Sequence, residues 1–530
     1  MTAIPKYGGT NKSTNMKSFI QKYCFTTSLL FLSLNSFTQS AKELGRNRTL
    51  IVFFDGLRPD YITAEIMPNL YAFSKKGVYA RQHHSVFPTV TRVNSTSYST
   101  GSYPATHGIM GNTVYFPEVD KKKGLNTGEA AELNRISIAT NGRLVTTTSL
   151  GEILQRAGEK MMVFSSGSSG QALLQNHTVS GGAVINTSMI LPASLQPELE
   201  KKLGPIPPHA KPNSAQHKWI TDALINYGLA PDGPMVSAIW FSDPDGTAHS
   251  DGIGAPSSMA SLRSVDEQFG RILAELEKKQ LNQLFNVLVS TDHGFVSYNG
   301  KSGNSLSELL IREGLKQNKE SEDVVVTEGA IYVKDHDKAL IQKIISLLQA
   351  QSWIGGIFTK AAAPGSNLGF IEGTISFDAI HWNHPERAAD ILVDRDWNDE
   401  INPMGYAGYS INNGVAGHGG FSRYEVNIAL LAAGPDFKKS FISDLPSSNV
   451  DIVPTVLHLH EIPVPASMDG RVLTELLSGK ERMVKSRAKT DTISTSAKYQ
   501  GGTYHLKLER TILGKYEYVN FSKATRVPDK

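Results

Sequence analysis

Cysteine is almost absent from this sequence. Cys24 is the only cysteine among 530 residues, and it lies in an apolar stretch near the N-terminus that we expect to be removed from the mature chain. A disulfide framework and thiol chemistry are therefore both excluded for the mature protein. We expect its stability to come from a large core and from bound metals.

Strong net charge, internal repeats and low-complexity segments are also absent. The 53 Lys and Arg residues nearly balance the 50 Asp and Glu residues, the net charge is +3, and the basic residues are scattered. This distribution argues against a stable complex with nucleic acid. The hydrophobic fraction of 40% is ordinary for a globular protein. The length is compatible with one large α/β domain bearing insertions or with two separate domains.

A long apolar run is missing as well, since a membrane-spanning helix needs about 20 apolar residues. Near the N-terminus, Lys17 and Lys22 are followed by a shorter apolar run over residues 23–34 and then by small and polar residues. This layout is typical of a secretory signal, and a buried core helix is the alternative. We expect residues 1–41 to be a leader and signal peptide, translated from Met1 or Met16. The mature chain would have no transmembrane anchor and would be secreted or periplasmic.

From residue 48 onward, short β-branched and aromatic runs alternate with amphipathic stretches. This alternation predicts a mostly parallel sheet covered by helices on both faces, within a domain that covers residues 42–485. The predicted strands are 49–55, 160–166, 235–243, 285–292 and 427–434. The predicted helices are 66–76, 148–158, 215–228 and 257–279.

Two further segments differ from this pattern. Residues of about 300–415 predict a smaller α+β insertion, with strands at 323–333, 369–376 and 390–394 and a helix at 336–350. Residues 486–530 predict a Ser, Thr and Lys-rich linker and then a C-terminal hairpin over 503–521, which we expect to pack on the body.

Acidic, histidine and threonine residues follow several predicted strands, where ligands of parallel α/β sheets bind. They occur in FFDGLRPDY (53–61), FPTVTRVN (87–94), DPDGTAHSDG (243–252), STDHGF (290–295) and AGHGGFSRYE (416–425). The alternative is that Asp55 and Asp292 cap helices and that His293 and His418 are hydrogen-bonded core histidines. Together, the nitrogen and oxygen side chains of these segments form two sets of ligands suited to zinc.

These segments resemble the motifs of a known family. FDGLRPDY, PTVTRVN and TGSYPATHGIMGN (100–112) are similar, in order, to motifs of the nucleotide pyrophosphatase/phosphodiesterase family of the alkaline phosphatase superfamily. The resemblance runs from about residue 48 to 475. It implies an α/β fold of the alkaline phosphatase-like type: a three-layer sandwich with a mostly parallel central sheet, helices on both faces and a smaller inserted α+β subdomain.

The resemblance also implies roles for particular residues and two zinc ions per chain. Asp245, His249 and His418 would hold one zinc, and Asp55, Asp292 and His293 would hold the other. Thr91 would be the nucleophile and would itself contact zinc, while Asn112 would bind a phosphoryl oxygen. His107 is interpreted as structural.

These roles describe an exported phosphodiesterase or pyrophosphatase that acts on a small phosphate ester or a nucleotide. A threonine hydroxyl is a poor nucleophile unless its pKa is lowered, as a bound metal can do. Thr91 would attack phosphorus to give a phospho-threonine, and water would then release the product. No protein partner is evident.

The sequence departs from the family pattern beside the nucleophile. The best-known members carry an aromatic residue directly after it, and this chain has Arg92 there; Val90 replaces the usual lysine. We expect Arg92 and Asn112 to contact substrate, with a solvated surface arginine as the alternative reading of Arg92. A phosphate monoesterase or a phosphonate esterase on the same frame therefore stays open. A non-enzymatic metal-binding protein would have lost a ligand or the nucleophile, and a sulfatase would need a formylglycine motif, which is absent.

Overall fold

A computed structural model of the chain describes Gly8 and residues 47–299, 304–479 and 487–529. Contacts divide the chain into Met1–Asn47 and Arg48–Lys530, and the following description concerns the second unit. The predicted leader and signal peptide over 1–41 lies outside the described residues, Gly8 apart. No helix in the described part of the chain combines the length and the apolar character needed to span a bilayer.

The centre of the fold is a ten-stranded, mostly parallel sheet, as predicted. Its middle strand, Arg48–Phe54, pairs in parallel with Val236–Phe241 on one side and with Phe285–Ser290 on the other. Nine strands follow one another across the sheet in the order Phe441–Ser443, Val78–His84, Asn427–Ala433, Phe285–Ser290, Arg48–Phe54, Val236–Phe241, Met161–Ser165, Ala183–Asn186 and Met189–Leu191. The tenth, Ser447–Ser448, also pairs with Val78–His84.

Both faces of this sheet are buried, and this explains why its strands are continuous apolar runs. Along the middle strand, Leu50 and Val52 belong to one apolar cluster, while Ile51 and Phe53 belong to another. Helices Pro68–Lys76, Ser214–Ala223 and Pro256–Lys278 contribute to the first cluster. Helices Thr91–Thr100, Leu150–Arg156 and Ile452–Leu459 contribute to the second. The three-layer prediction is therefore confirmed.

The remaining helices are shorter or peripheral. They are Pro104–His107, Ala130–Ala139, Ser169–Gln175, Gln196–Leu203, Asp245–Asp251, Leu306–Arg312, Lys338–Gln349 and Arg423–Val426. Helix Ser214–Ala223 continues into a π-helical turn, Leu224–Gly228. The predicted helices at 66–76, 148–158, 215–228, 257–279 and 336–350 all exist, with ends shifted by at most a few residues.

The chain between the central strands Phe285–Ser290 and Asn427–Ala433 forms two smaller sheets. One has the strand order Val324–Thr327, Ala330–Val333, Ile391–Arg395, Ile354–Thr359 and Ile375–Ser376, and the other has Trp397–Ile401, Ala407–Ser410, Val296–Tyr298 and Ala416–Gly417. The prediction of one strand over 323–333 is wrong, because the chain reverses at Glu328, whose φ is 51°. Of the strand predicted over 369–376, only Ile375–Ser376 forms.

The C-terminal residues form a three-stranded antiparallel sheet of Lys489–Tyr499, Gly502–Leu513 and Tyr516–Pro528. The predicted hairpin is present, but the predicted linker is largely a strand that pairs along its whole length with Gly502–Leu513. Its Ser and Thr side chains alternate with Ile493 and Ala497, which are buried. This sheet packs on the body, where Tyr504 Oη donates to Gly355 O at 2.8 Å. A two-stranded pair, Thr113–Val114 and Leu125–Asn126, completes the strands of the described residues.

Candidate active site

Three adjacent parallel strands deliver the acidic residues to one edge of the central sheet. Asp55 directly follows strand Arg48–Phe54, Asp245 begins the helix after Val236–Phe241, and Asp292 follows Phe285–Ser290. Because these strands are neighbours, their carboxyl ends meet. His293 comes from the same turn as Asp292, His249 from the helix of Asp245, and His418 from the segment after strand Ala416–Gly417.

The three histidines are oriented in the same way by the backbone. Their Nδ1 atoms lie at hydrogen-bond distance from carbonyl oxygens: His249 from Ala416 at 3.0 Å, His293 from Gly294 at 3.0 Å and His418 from Thr89 at 2.8 Å. A histidine whose Nδ1–H donates to a carbonyl presents an unprotonated Nε2, as metal ligands do. All three Nε2 atoms face the aspartates.

Carboxylate oxygens lie opposite these nitrogens. Asp245 Oδ1 is 3.2 Å from His249 Nε2 and 3.1 Å from His418 Nε2. Asp292 Oδ2 and Asp55 Oδ1 are 3.0 Å and 3.6 Å from His293 Nε2. Ligands of a tetrahedral zinc with bonds of about 2.0–2.1 Å would be roughly 3.3 Å apart. The spacing of these atoms therefore suits zinc.

The same three carboxylate oxygens are buried and have no hydrogen-bond partner within the described residues. Burial of an unpartnered carboxylate oxygen is costly unless a cation compensates it. Asp245 also lies within 4.8 Å of both Asp55 and His293, so it stands between the two ligand groups. The sequence assigned it to one group only.

Groups of like charge lie close together in the cluster and shift one another's pKa values. Burial and the nearby carboxylates of Asp292 and Asp245 raise the pKa of Asp55 well above its usual value. Burial and the neighbouring His293 lower the pKa of His418 to about 4. A cation would favour the ionised aspartate and the neutral histidine together.

Two groups behind the cluster hold the carboxylates in place. Trp240 Nε1 donates to Asp55 Oδ2 at 2.9 Å, and the Gly56 amide donates to Asp292 Oδ1 at 3.0 Å. Trp240 is fully buried and stacks on Phe53 with ring centroids 4.6 Å apart. Trp240 therefore belongs to the core and also contacts a site residue.

Thr91 lies beside this cluster as the first residue of helix Thr91–Thr100. Its Oγ1 is 3.3 Å from His293 Nε2. The N-terminus of a helix favours anions because its amides point outward and its dipole is positive. The Arg92 amide donates to Asn112 Oδ1 at 3.1 Å, which places the Asn112 carboxamide at the same helix end and leaves its nitrogen as a donor.

Two asparagines that the sequence did not single out brace this helix start. Asn94 accepts from the Val86 amide at 2.8 Å and donates to Val86 O at 2.9 Å. Asn449 donates to Asn94 Oδ1 at 3.1 Å and to Thr291 O at 3.0 Å. The turn before Thr91 is thereby tied to the turn that carries Asp292.

Comparison with known proteins decides the family. Residues 49–402 match the family described as Type I phosphodiesterase / nucleotide pyrophosphatase. The chain belongs to this family. Its members are metal-dependent hydrolases of phosphodiester or pyrophosphate bonds, so this phosphodiesterase family member is an enzyme of that class. Both the family and the enzyme class agree with the prediction.

Relatives cover most of the chain at low identity. A bis(5'-adenosyl)-triphosphatase of Xenopus laevis is 24% identical over 425 residues, which are 77% of this chain and 76% of that protein. Ectonucleotide pyrophosphatase/phosphodiesterase family member 5 of Homo sapiens is 22% identical over 444 residues, 82% of this chain and 79% of that protein.

Solved structures agree with the alkaline phosphatase-like fold. An inactive variant of murine ectonucleotide pyrophosphatase/phosphodiesterase 5 in complex with AMP superposes with a TM-score of 0.57 at 20% identity, covering 82% of this chain and 100% of that chain. A mutant of the alkaline phosphatase PafA superposes with a TM-score of 0.63 at 16% identity, with the same coverage.

Two cavities open at this candidate site. One, of about 170 Å³, lies beside Thr91 and is lined by Arg92, Ser168 and Lys211 among others. The other, of about 380 Å³, contains Asn112 and extends to Tyr298, Glu328 and Trp382. Glu328 stands at the turn of the hairpin Val324–Val333 and accepts from Thr113 Oγ1 at 3.1 Å. The smaller sheets therefore help to form the larger cavity.

His107, which is interpreted as structural from the sequence, lies away from the cluster, as do Arg423 and His460. His107 is buried, with Nε2 3.0 Å from Ser97 Oγ and Nδ1 accepting from the Ile109 amide, and it does not contact the cluster. The side chain of Arg423 stacks over Phe521 and lies 3.8 Å from Asp399. His460 contacts Thr49 Oγ1 at 2.9 Å, in a structural position.

Proposed function

We propose that this chain is an exported hydrolase of phosphodiester or pyrophosphate bonds that uses two zinc ions and Thr91 as nucleophile. The observation that carries the proposal is the convergence of three buried, unpartnered carboxylate oxygens and three imidazole Nε2 atoms beside the Thr91 hydroxyl. The proposed substrate is a small phosphate ester or a nucleotide.

The proposed ligands form two groups. Asp245, His249 and His418 would hold one zinc, and Asp55, Asp292 and His293 would hold the other, with Asp245 close to both. Bound there, two zinc ions would lower the pKa of a coordinated hydroxyl and offset charge on the phosphoryl oxygens. Imidazole nitrogen and carboxylate oxygen are the donor types that zinc prefers in hydrolases.

The proposed reaction proceeds in two displacements at phosphorus. Thr91 Oγ forms a bond to phosphorus as the bond to the leaving oxygen breaks, giving a phospho-threonine that retains the second ester group. Water then attacks phosphorus, breaks the Thr91 Oγ–P bond and regenerates the hydroxyl. Donors from Asn112 and from the helix N-terminus at Thr91 stabilise the charge that builds on the phosphoryl oxygens.

The cavity beside Thr91 favours diesters and pyrophosphates over simple monoesters. Arg92 and Lys211 are the only Lys or Arg side chains among its described lining residues. The Arg92 guanidinium lies against Gly128, where an added Cβ would be 3.2 Å from Cζ. A monoester dianion would require further cations on the transferred phosphoryl group, so monoesterase or phosphonate esterase activity ranks second.

Export and domain boundaries are part of the same proposal. Residues 1–41 would be removed as leader and signal peptide, residues 42–485 would form the catalytic domain with its insertion at about 300–415, and residues 486–530 would pack on it. The basic start and apolar run of the N-terminus support a secreted or periplasmic location. N-terminal sequencing of the protein recovered from a periplasmic or culture fraction tests this.

Acid quenching during turnover of bis-p-nitrophenyl phosphate tests the covalent step. Peptide mass spectrometry should find a nitrophenyl-phosphoryl adduct on Thr91 in the wild-type protein and none on the same peptide of Thr91→Ala. An adduct on another residue would contradict the assignment of the nucleophile.

A further inference from the structure

The small cavity beside Thr91 has an unusual lining for a site that receives an organic group. Its volume is about 170 Å³, and none of its described lining residues is Phe, Tyr or Trp. Cavities that enclose drug-sized ligands measure roughly 300–1,000 Å³ and are mostly apolar or aromatic. This cavity is lined by Thr91, Asp55 and Asp245 of the cluster and, in addition, by Gly167, Ser168 and Asn213. It fits a small polar group and offers no surface on which a nucleobase would stack.

Arg92 contributes a cationic group to this cavity, and the buried Nε of that group lacks a hydrogen-bond partner within the described residues. The guanidinium is confined by Gly128, since a Cβ there would lie 3.2 Å from Cζ. A partly buried guanidinium with unmet donors costs stability unless an anion binds it. Its planar fork is suited to carboxylate and phosphate groups.

Lys211 provides a second cation at the rim of the same cavity. It is exposed, and its Nζ donates to Ser250 Oγ at 3.3 Å. Arg92 and Lys211 are the two Lys or Arg side chains among the described lining residues of this cavity. The metals of the proposed function would compensate the charge of the transferred phosphoryl group, so these two cations are available to a neighbouring anionic group.

We propose that the cavity beside Thr91 binds a second anionic group of the substrate, a carboxylate or a further phosphoryl group close to the scissile phosphorus, and that Arg92 is its principal contact. The inference rests on the proposed function and narrows its substrate class to small phosphate esters or anhydrides that carry this additional anion. Pyrophosphate-bond substrates meet the requirement because their second phosphoryl group is adjacent.

A matched pair of esters tests the inference. Methyl p-nitrophenyl phosphate and carboxymethyl p-nitrophenyl phosphate share the leaving group and differ by one carboxylate. We expect the zinc-loaded protein to hydrolyse the carboxymethyl ester with a kcat/KM about 10- to 100-fold higher, the range expected for a charge-assisted hydrogen bond. Arg92→Gln should bring this ratio toward one, and Lys211→Gln should reduce it by a smaller factor.

Arg143→Gln is the control, because Arg143 is an exposed arginine paired with Glu386 and does not line the cavity. It should leave the ratio and both rates unchanged. Two results would overturn the inference and leave the proposed function intact. In one, the wild-type protein hydrolyses both esters with nearly equal kcat/KM. In the other, the preference for the carboxymethyl ester persists in Arg92→Gln. Hydrolysis of neither ester would overturn both.

Discussion

Replacement of Trp240 by Phe removes one hydrogen bond from a proposed metal ligand. The indole Nε1 donates to Asp55 Oδ2 at 2.9 Å, and Phe keeps an aromatic ring against Phe53 but has no donor. Without metal, burial and the carboxylates of Asp292 and Asp245 raise the pKa of Asp55, so the indole faces a carboxyl that favours its neutral form. Zinc binding would ionise Asp55 and strengthen the bond.

The expected loss of zinc affinity is the difference between these two bonds. A hydrogen bond to a neutral group contributes about 0.5–1.5 kcal/mol and one to a charged group about 1.5–3 kcal/mol. The difference of about 1–1.5 kcal/mol corresponds to roughly a 5- to 10-fold weaker zinc site in Trp240→Phe. This is near the lower end of the effects known for residues behind metal ligands, about 10- to 100-fold.

Competition with a chromophoric chelator measures this affinity, and Trp219→Phe is the matched control. Trp219 is also buried, but its Nε1 donates to Gly204 O at 3.2 Å, away from the cluster. The control should lose stability and keep its zinc affinity. Equal zinc affinities of Trp240→Phe and wild type would refute the reasoning. The indole hydrogen bond would then be equally strong to the neutral and to the ionised carboxyl group of Asp55.

Three further outcomes are expected. Removal of metal with a chelator should abolish hydrolysis and lower the thermal midpoint. The reason is that no cation would then compensate the negative charges of Asp55, Asp245 and Asp292. An unchanged midpoint in calorimetry would argue against a structural metal. Asn112→Ala should reduce kcat by about 10²–10³-fold, as removal of other oxyanion donors does, and should leave the zinc content unchanged. Loss of zinc in this variant would show that Asn112 has a different role. Burial lowers the pKa of His83 to about 3, below its unfolded value of about 6.5. The stability from neutral His83 is therefore present above pH 6.5 and lost as pH falls toward 3. Between pH 7.5 and 5.5 the loss should be about 1.4 kcal/mol in denaturant titrations. The same pH slope in His83→Asn would contradict this.

The central strands and the polar turns after them were predictable for a physical reason. Strands buried on both faces must be apolar throughout, so runs such as residues 48–54 stand out from the rest of the sequence. The acids at their ends interrupt those runs and are visible for the same reason. Strand Val78–His84 was missed because it carries Arg81 and Gln82, which are exposed.

Residues whose roles depend on tertiary contacts were not predictable. Asn94 and Asn449 are far apart in sequence, and nothing local indicates that they join across the site. The turn at Glu328 depends on Gly329, which lies so close to Val393 O that no side chain fits. The strand Lys489–Tyr499 has the composition of a linker, and its pairing with Gly502–Leu513 and the burial of Ile493 and Ala497 stabilise it as a strand.

The central claim is that Thr91 performs the chemistry of a two-zinc phosphodiesterase. The most direct test is kcat/KM for bis-p-nitrophenyl phosphate in wild type, Thr91→Ser and Thr91→Ala, each with its zinc content measured. We expect Thr91→Ser to retain activity and Thr91→Ala to lose at least about 10³-fold, as expected when a nucleophile is removed. A zinc-loaded Thr91→Ala protein within tenfold of wild type would contradict the account.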